Sequence, residues 1–337
     1  MVFLYDLPLF SLICKERRFD ITFQLDGGVD IRVLTDNPDY GQYLIGSGIK
    51  LRKRETPAEE EYQQIAGVTT DNPLQYEGVF NFPGPWDLII VTEQSVRSQY
   101  DALIQYGRRY STQGAKENLI CIAGSGTPCH GQKGRIWHAL PGNLQLSIFL
   151  KPGKVFVHSA AAMMILPAVA VAEAIEKYCQ TTVDIKWVND IVVHNEKVAG
   201  VVAHTHTKKE KLVWSAIGIG VNIQSAPQDL NSEFIKRATC LRDLNECEHS
   251  VRTDQALRCI LHVFKEKYNF LLGGRFAELF DEYIKRSYLI GKKVVICLDE
   301  DCTQKVTGRI QDIGDNLELY LDKYSKPLFK GRVKSVL

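Results

Sequence analysis

Lys186-Trp187-Val188-Asn189-Asp190, followed at Lys197 by Val198-Ala199-Gly200, is the stretch from which the rest of the chain is read. Apolar, β-branched residues at Ile185, Ile191, Val192 and Val193 predict a strand. His194-Asn195-Glu196 predicts a hairpin turn, and a second strand follows over 197–202. Paired in this way, the two strands present Asn189, Asp190 and Lys197 together. A fixed ammonium beside a carboxylate and an amide suits chemistry that brings a phosphate and an acid together, because lysine supplies a point charge where negative charge develops. An ordinary hairpin carrying a surface lysine shows the same local pattern.

Working outward, the pattern predicts a strand over 88–91, a helix over 95–110, a strand over 119–123, a glycine-rich loop, a strand over 144–150 and a long helix over 159–179. Beyond the hairpin come a strand over 212–219 and helices over 253–272, with Thr253 as N-cap, and over 275–288. This is an α+β (mixed α/β) arrangement with a mixed sheet and flanking helices. After Gly291, short strands over 293–298, 304–313, 317–321 and 328–336, with a tight turn at Gly314-Asp315-Asn316, predict a small SH3-like β-barrel.

The first 84 residues read differently: strand-like stretches over 21–25 and 29–34 flank a turn at Asp26-Gly27-Gly28, and Phe82-Pro83-Gly84-Pro85 reads as a boundary. The expected organisation is therefore 1–84, partly β and of unknown role, then 85–288 as the catalytic domain, then 289–337 as the barrel. No helix-turn-helix pattern occurs in the first part, so DNA binding is not expected. The opposed charge blocks from Lys50 to Glu61 read as a solvated face.

With 337 residues, 45% hydrophobic and 24% charged, the chain is large enough for a real core. A net charge of +1 gives no global field that would favour nucleic acid or an anionic membrane. The apolar run over 155–175 contains His158, Pro167 and Glu173, which predicts a buried helix and not a membrane span. The apolar N-terminus is interrupted by Asp6 and Pro8 and lacks a basic leader, so no signal peptide is expected. Nine cysteines, at 14, 121, 129, 179, 240, 247, 259, 297 and 302, form no Cys-x-x-Cys pair; they predict reduced thiols in a cytoplasmic protein.

A second constellation lies at Gly124-Ser125-Gly126-Thr127-Pro128-Cys129-His130-Gly131-Gln132-Lys133-Gly134-Arg135-Ile136-Trp137. Its glycines let backbone N–H groups turn toward an anion, Arg135 can add bidentate contacts, and Trp137 can stack on a flat base. It is not the Walker pattern, and a mobile surface loop is the plain alternative.

Taken in order, this loop, then Gly142-Asn143-Leu144-Gln145-Leu146-Ser147, the Lys186 stretch, Lys197-Val198-Ala199-Gly200 and Gly218-Ile219-Gly220-Val221-Asn222 resemble the biotin protein ligase family. The resemblance runs from about Leu88 to the C-terminus. The family's loop reads Gly-Arg-Gly-Arg-x-Gly-Arg-x-Trp; here two of its arginines fall on His130 and Gln132, a glutamine that helps hold the biotin ureido ring falls on Gly126, and the usual proline of the second motif is Val188.

The resemblance implies a two-step ligase: biotin and ATP form biotinyl-adenylate, which a lysine on the carrier domain of a biotin-dependent carboxylase then attacks. Lys197 would stabilise the biotin carboxylate and the α-phosphate, Asp190 would lie near magnesium and Arg135 on the phosphates. Trp137 would lie against adenine, with Gly131, Gln132, Gly134, Asn189 and Asn222 around the nucleotide. Ser95, Gly126, His130, Gly131 and Gly200 would surround biotin. His130 reads as a donor that is mostly neutral near pH 7, and Gln132 as the loss of a charged donor. A lipoate or octanoate ligase of the same fold, or a catalytically weak homologue that binds a ligand or partner, shares these features.

Overall fold

The computed structural model describes residues 29–46, 49–82, 84–110, 118–156, 158–228, 237–247 and 250–336. The expected strand over 21–25, the turn at 26–28, the apolar N-terminus and Cys14 lie outside them. Among the described residues one eleven-stranded sheet runs through most of the chain. Its strands are β1 (Val29–Thr35), β2 (Arg52–Lys53), β3 (Tyr76–Phe82), β4 (Leu88–Ser95), β5 (Leu119–His130), β6 (Ile136–Ala139), β7 (Leu144–Leu150), β8 (Asp184–Lys186), β9 (Asp190–Val193), β10 (Glu196–Lys208) and β11 (Lys211–Val221). Their order is β2-β3-β1-β4-β5-β7-β11-β10-β9-β8, with β6 folded back onto β5. β4 pairs in parallel with β1 and β5, while β7, β11, β10, β9 and β8 pair antiparallel. The sheet is mixed, as expected.

Strand periodicity gives this sheet two different faces. Leu146, Ile148, Val201, Ile217 and Ile219 point to one side, where they meet α4 (Ser159–Cys179) and α5 (Thr253–Leu272) in the main core. α4 is apolar around most of its circumference, with residues 161–163, 165–172, 174, 175, 178 and 179 buried, so it is a core helix. Phe149, Trp214 and Ala216 point to the other side and pack with α2 (Glu60–Ala66) and α3 (Gln99–Tyr110) in a second core. Gly107 of α3 lets that helix lie against the indole of Trp214, because a Cβ there would come within 2.6 Å of the ring.

Lys267 on α5 bonds Glu173 of α4 at 2.7 Å and Glu282 of α6 (Phe276–Lys285) at 2.8 Å, and Arg286 bonds Glu176 at 2.7 Å. These pairs hold three helices in register through largely buried charges. α5 matches the expected 253–272, but its N-cap is Arg252; Thr253 is already helical and its hydroxyl donates to Gly142 O at 2.9 Å.

Residues 29–82 do not form a separate layer. β1 joins β4 directly, so the expected boundary near residue 84 falls between two strands of one sheet. α1 (Pro38–Ile45) is capped by Asn37, whose side chain accepts from the backbone of Asp39 and Tyr40. Of the charged stretch, Arg52 bonds Glu77 at 2.9 Å and Arg54 also pairs with Glu77.

The C-terminal strands β12 (Lys293–Cys297), β13 (Lys305–Ile313), β14 (Leu319–Leu321) and β15 (Arg332–Val336) form a separate antiparallel sheet ordered β14-β13-β12-β15. It meets the large sheet where Trp187 Nε1 donates to Leu317 O at 2.8 Å and His158 lies 2.8 Å from Asn316 Oδ1.

The cysteines require a correction. Cys179 and Cys247 form a disulfide with Cα atoms 4.4 Å apart, and Cys297 and Cys302 form another with Cα atoms 4.7 Å apart; Cys121, Cys129, Cys240 and Cys259 are free. The end of α4 and a connection 68 residues later meet only in the folded chain, so spacing could not reveal that pair.

Because β1 is hydrogen-bonded to β4 and Ile31 is fully buried, Ile31→Ala will destabilise the whole fold, by about 2–5 kcal/mol. Urea unfolding followed by circular dichroism will show one shifted transition. A separate early transition, leaving the rest unshifted, would mean that residues 29–82 unfold on their own.

Candidate active site

The register of the sheet builds the floor of a cavity. Asp190 pairs with Gly200, Gly200 with Gly220, Gly220 with Gln145 and Gln145 with Ala123, so one row crosses five strands on one face. The next row, Val202, Gly218, Ser147 and Cys121, lies on the same face. These residues are mostly small or polar. α3 covers only part of the face, and over the remainder opens a cavity of about 490 Å³. That volume suits a small molecule.

Lys197 enters this cavity through a bulge. Pairing between β9 and β10 shifts between Lys197 and Ala199, and Lys197 Nζ reaches Asp190 Oδ1 at 2.5 Å. Burial alone would raise the Asp190 carboxyl, but Lys197, Lys186 and Arg135 outweigh it and hold Asp190 below the usual carboxylate range. Asn189 is buried, and its amide donates to Val201 O at 2.6 Å, which clamps the hairpin.

The expected single strand through Ile185 and Ile191 is instead two, β8 and β9, joined by a tight turn containing a cis peptide between Trp187 and Val188. Periodicity alone reads straight through such a reversal, because both halves are β-branched.

The glycine-rich loop is also shorter than expected. β5 continues through Gly126 to His130, and β6 pairs back on it, so only residues 131–135 form a loop, with a 3₁₀ turn at Gln132–Gly134. Arg135 Nε donates to Gln132 O at 2.9 Å, and Gly131 N donates to Arg135 O at 2.7 Å. These bonds tie the loop to itself. Gly134 has φ +70° at its outer edge, where glycine is favoured for its backbone alone, since a Cβ there would meet nothing within 4 Å.

Trp137 on β6 lies over the glycine floor. A Cβ at Gly220 would come within 2.3 Å of its ring, its Nε1 donates to Gln145 Oε1 at 2.8 Å, and Lys197 Nζ lies 5.5 Å from the ring centre. The Gln145 Nε2 donor beneath it is buried without a hydrogen-bond partner among the described atoms.

Of the site residues expected from sequence, Ser95, Gly126, His130, Gly131, Gln132, Arg135, Trp137, Asn189, Asp190, Lys197 and Gly200 all line this cavity. Gly134 and Asn222 do not. Asn222 is buried behind the floor, with its amide donating to Thr239 O at 3.1 Å. The Ser95 hydroxyl donates to Ala66 O at 2.9 Å. Gly126 pairs with Ser95 and has its Cβ position 3.0 Å from Ser95 O, so a longer side chain there would need the neighbouring strand to shift.

His130 has its pKa raised: hydrogen bonding to Gly131 O is the largest influence and, with Asp101, acts against the opposing effect of burial. Sequence reasoning also missed Arg97 and Arg332, which line the same cavity. Burial pushes Arg332 down to about 10, helped by the nearby Arg135. Arg332 sits in β15, far along the chain, and no local pattern marks it.

The lining thus gathers Arg97, His130, Arg135, Lys197 and Arg332 around a single carboxylate, Asp190. Such a surplus of cations suits an anionic ligand. Among the described residues no three His, Cys, Asp or Glu side chains converge on a common metal position. Asp190 alone fits a magnesium ion bound chiefly through a ligand's phosphates.

The family model "Biotin/lipoate A/B protein ligase family" matches residues 96–222. The chain is 27% identical over 178 residues to the bifunctional ligase/repressor BirA of Bacillus subtilis, covering 52% of this chain and 53% of that protein. It is 27% identical over 215 residues to a biotin–[acetyl-CoA-carboxylase] ligase of Mycobacterium tuberculosis, covering 61% of this chain and 74% of that one. The chain spans about half the length of the Bacillus relatives it matches. In fold it is similar to the biotin protein ligase of Aquifex aeolicus in complex with biotin and ATP, with TM-score 0.56, 22% identity, and coverage of 74% of this chain and 98% of that one. Residues 96–222 therefore form a domain of the biotin/lipoate A/B protein ligase family, and within that family the chain is similar to the biotin protein ligases.

Proposed function

We propose that this chain is an ATP-dependent, AMP-forming biotin–protein ligase that activates biotin as biotinyl-5'-AMP and transfers it to a lysine of a biotin carboxyl carrier domain. The observation that carries this reading is the convergence of Lys197, Arg135, His130 and Arg332 over a glycine floor, in a cavity of about 490 Å³.

In the first step a carboxylate oxygen of the acid attacks the α-phosphorus of ATP. A new phosphorus–oxygen bond forms as the bond to pyrophosphate breaks. Two anions must meet, and cations fixed beforehand lower the cost of that approach. Lys197, aimed by Asp190 at 2.5 Å, is the cation best placed between them. Magnesium bound with ATP supplies further neutralisation of the phosphates, and Asp190 is the lining carboxylate that would hold it. Gly220 leaves the floor low enough for the Trp137 ring to lie against it, and Gly200 leaves room beside it for Lys197 Nζ.

In the second step the neutral amine of the carrier lysine attacks the acyl carbon. The carbon–oxygen bond to AMP breaks, and the amine proton leaves to solvent. Until then the mixed anhydride must be kept from water, and the loop at 131–135 with Trp137 supplies the cover.

Gly126 favours one competing reading. It brings no side-chain amide to the cavity lining, which suits an acid without a ureido ring, such as lipoate or octanoate. Pyrophosphate exchange with ATP, magnesium and each of the three acids separates the readings. Biotin-dependent exchange, with transfer of label to a carrier domain, is the expected result. Preference for lipoate or octanoate would replace biotin as substrate, and no exchange with any acid would leave only a ligand- or partner-binding role.

Lys197→Ala will slow adenylate formation by about 10²–10³-fold, the scale for losing one group that stabilises developing charge. Lys186 and Arg135 still face Asp190 in this variant, so its circular dichroism will match the parent. Undiminished exchange would remove Lys197 from the mechanism.

A further inference from the structure

His130 is held by two acceptors at once. Its Nε2 lies 2.7 Å from Asp101 Oδ2 and its Nδ1 lies 3.0 Å from Gly131 O. A carbonyl oxygen can only accept, and so can an ionised carboxylate, so both ring nitrogens must donate. Only the imidazolium has two N–H groups. The carboxylate is itself well founded: Ser98 Oγ accepts from Asp101 N at 3.1 Å, which places Asp101 in the first turn of α3, where the helix dipole favours negative charge.

We propose that His130, as an imidazolium bridging Asp101 and the Gly131 carbonyl, is the positioning residue that latches the loop at 131–135 to α3. The latch opens when the ring loses its proton, and the loop then releases its bound anion more readily; that last consequence rests on the ligase reading above.

The surroundings support a reversible charge. From α3, besides Asp101, Tyr100 presents its ring at 6.0 Å to the imidazole. The neighbouring Cys129 of β5 has its thiol pushed up by burial and adds no charge. Arg97, ahead of α3, lines this cavity and also a second one of about 330 Å³ that Asp101 lines, while Gln132 and Arg135 come from the loop itself. His130 is therefore the group near the latch whose charge changes around neutral pH. The sign follows from the direction of its shift. The folded pKa is raised, so the bridge is complete below the ordinary histidine value of about 6.5 and is lost as pH rises through the higher folded value.

This latch is legible only in the fold. At the position where the family pattern places an arginine, this chain has a cation that can be switched off, and the partner that keeps it on is 29 residues away on a helix.

The test uses the full chain and three readouts. Ring ¹⁵N shifts of His130 followed by NMR from about pH 5.5 to 9, which brackets the ordinary histidine value of about 6.5 and extends above it, will give a midpoint above the ordinary value, and Asp101→Asn will lower it. Trypsin cleavage after Lys133 or Arg135 will accelerate with pH relative to His130→Arg, which keeps a permanent cation. The ratio will change about three- to tenfold across the transition, the scale of one partly exposed charge-assisted bond. Release of pre-formed acyl-adenylate will follow the same midpoint, and His130→Arg will flatten that profile. A midpoint at the ordinary value unmoved by Asp101→Asn, or a cleavage ratio flat with pH, overturns the latch. If both follow the prediction while no acid supports pyrophosphate exchange, the latch stands and the ligase reading falls.

Discussion

The pairing of Gly200 with Asp190 on one side and Gly220 on the other is the constraint from which the site follows. Two neighbouring positions without side chains lower the sheet surface. The bulge beside Val198 then lets Lys197 lean across to Asp190 while Gly200 still faces it. A straight ladder could not keep both relations, because a shift of one residue along a strand turns a side chain to the opposite face. Trp137 fills the space above Gly220, so any side chain at that glycine would displace the indole and, with it, the ring that faces Lys197. Cation, floor and cover are thus set by one local register.

Much of this was readable in the residues. β7 and α4 fall on 144–150 and 159–179, as their apolar patterns predict, because both are buried along most of their length and burial dictates composition. The meeting of Asn189, Asp190 and Lys197 was readable for the same reason: a hairpin turn with a strand on each side fixes who faces whom. What stayed hidden depends on distance along the chain or on local reversals. The turn at Trp187–Asn189 separates two strands of the same composition, and β5 runs on through a glycine-rich segment that reads as loop. Arg332 and the Cys179–Cys247 bond join parts of the chain that only the fold brings together.

Electrostatics ties these pieces into one site. Taking cations out of water is costly unless an anion accompanies them. Here the cost is visible in Arg332, pushed down to about 10 by burial, and the attraction is visible in Asp190, held low by its cationic neighbours despite being buried. One carboxylate among Arg97, Arg135, Lys197 and Arg332 leaves a net positive cavity. A bound phosphate would relieve that imbalance, so a cluster that is costly on its own suits an anionic ligand.

The residues before 84 acquire a physical role from this arrangement even though their sequence resembles nothing in the family pattern. Ala66, at the end of α2, accepts from Ser95 Oγ at 2.9 Å and from Gln99 Nε2 at 3.0 Å. Gly67 makes room for this contact, since a Cβ there would lie 2.2 Å from Ser95 Oγ. Asn37 Nδ2 bonds Glu93 at 2.7 Å, and Asp36 accepts from Glu93 N at 3.2 Å. The end of β4 and the first residue of α3 are therefore fixed by residues before 84. Asp101 lies two residues into that helix, and His130 is bonded to Asp101. A path of direct contacts thus runs from α2 through the start of α3 to the loop above Lys197. Loosening the first strands would disturb the loop before it disturbed Lys197 and Asp190, which are held by their own hairpin.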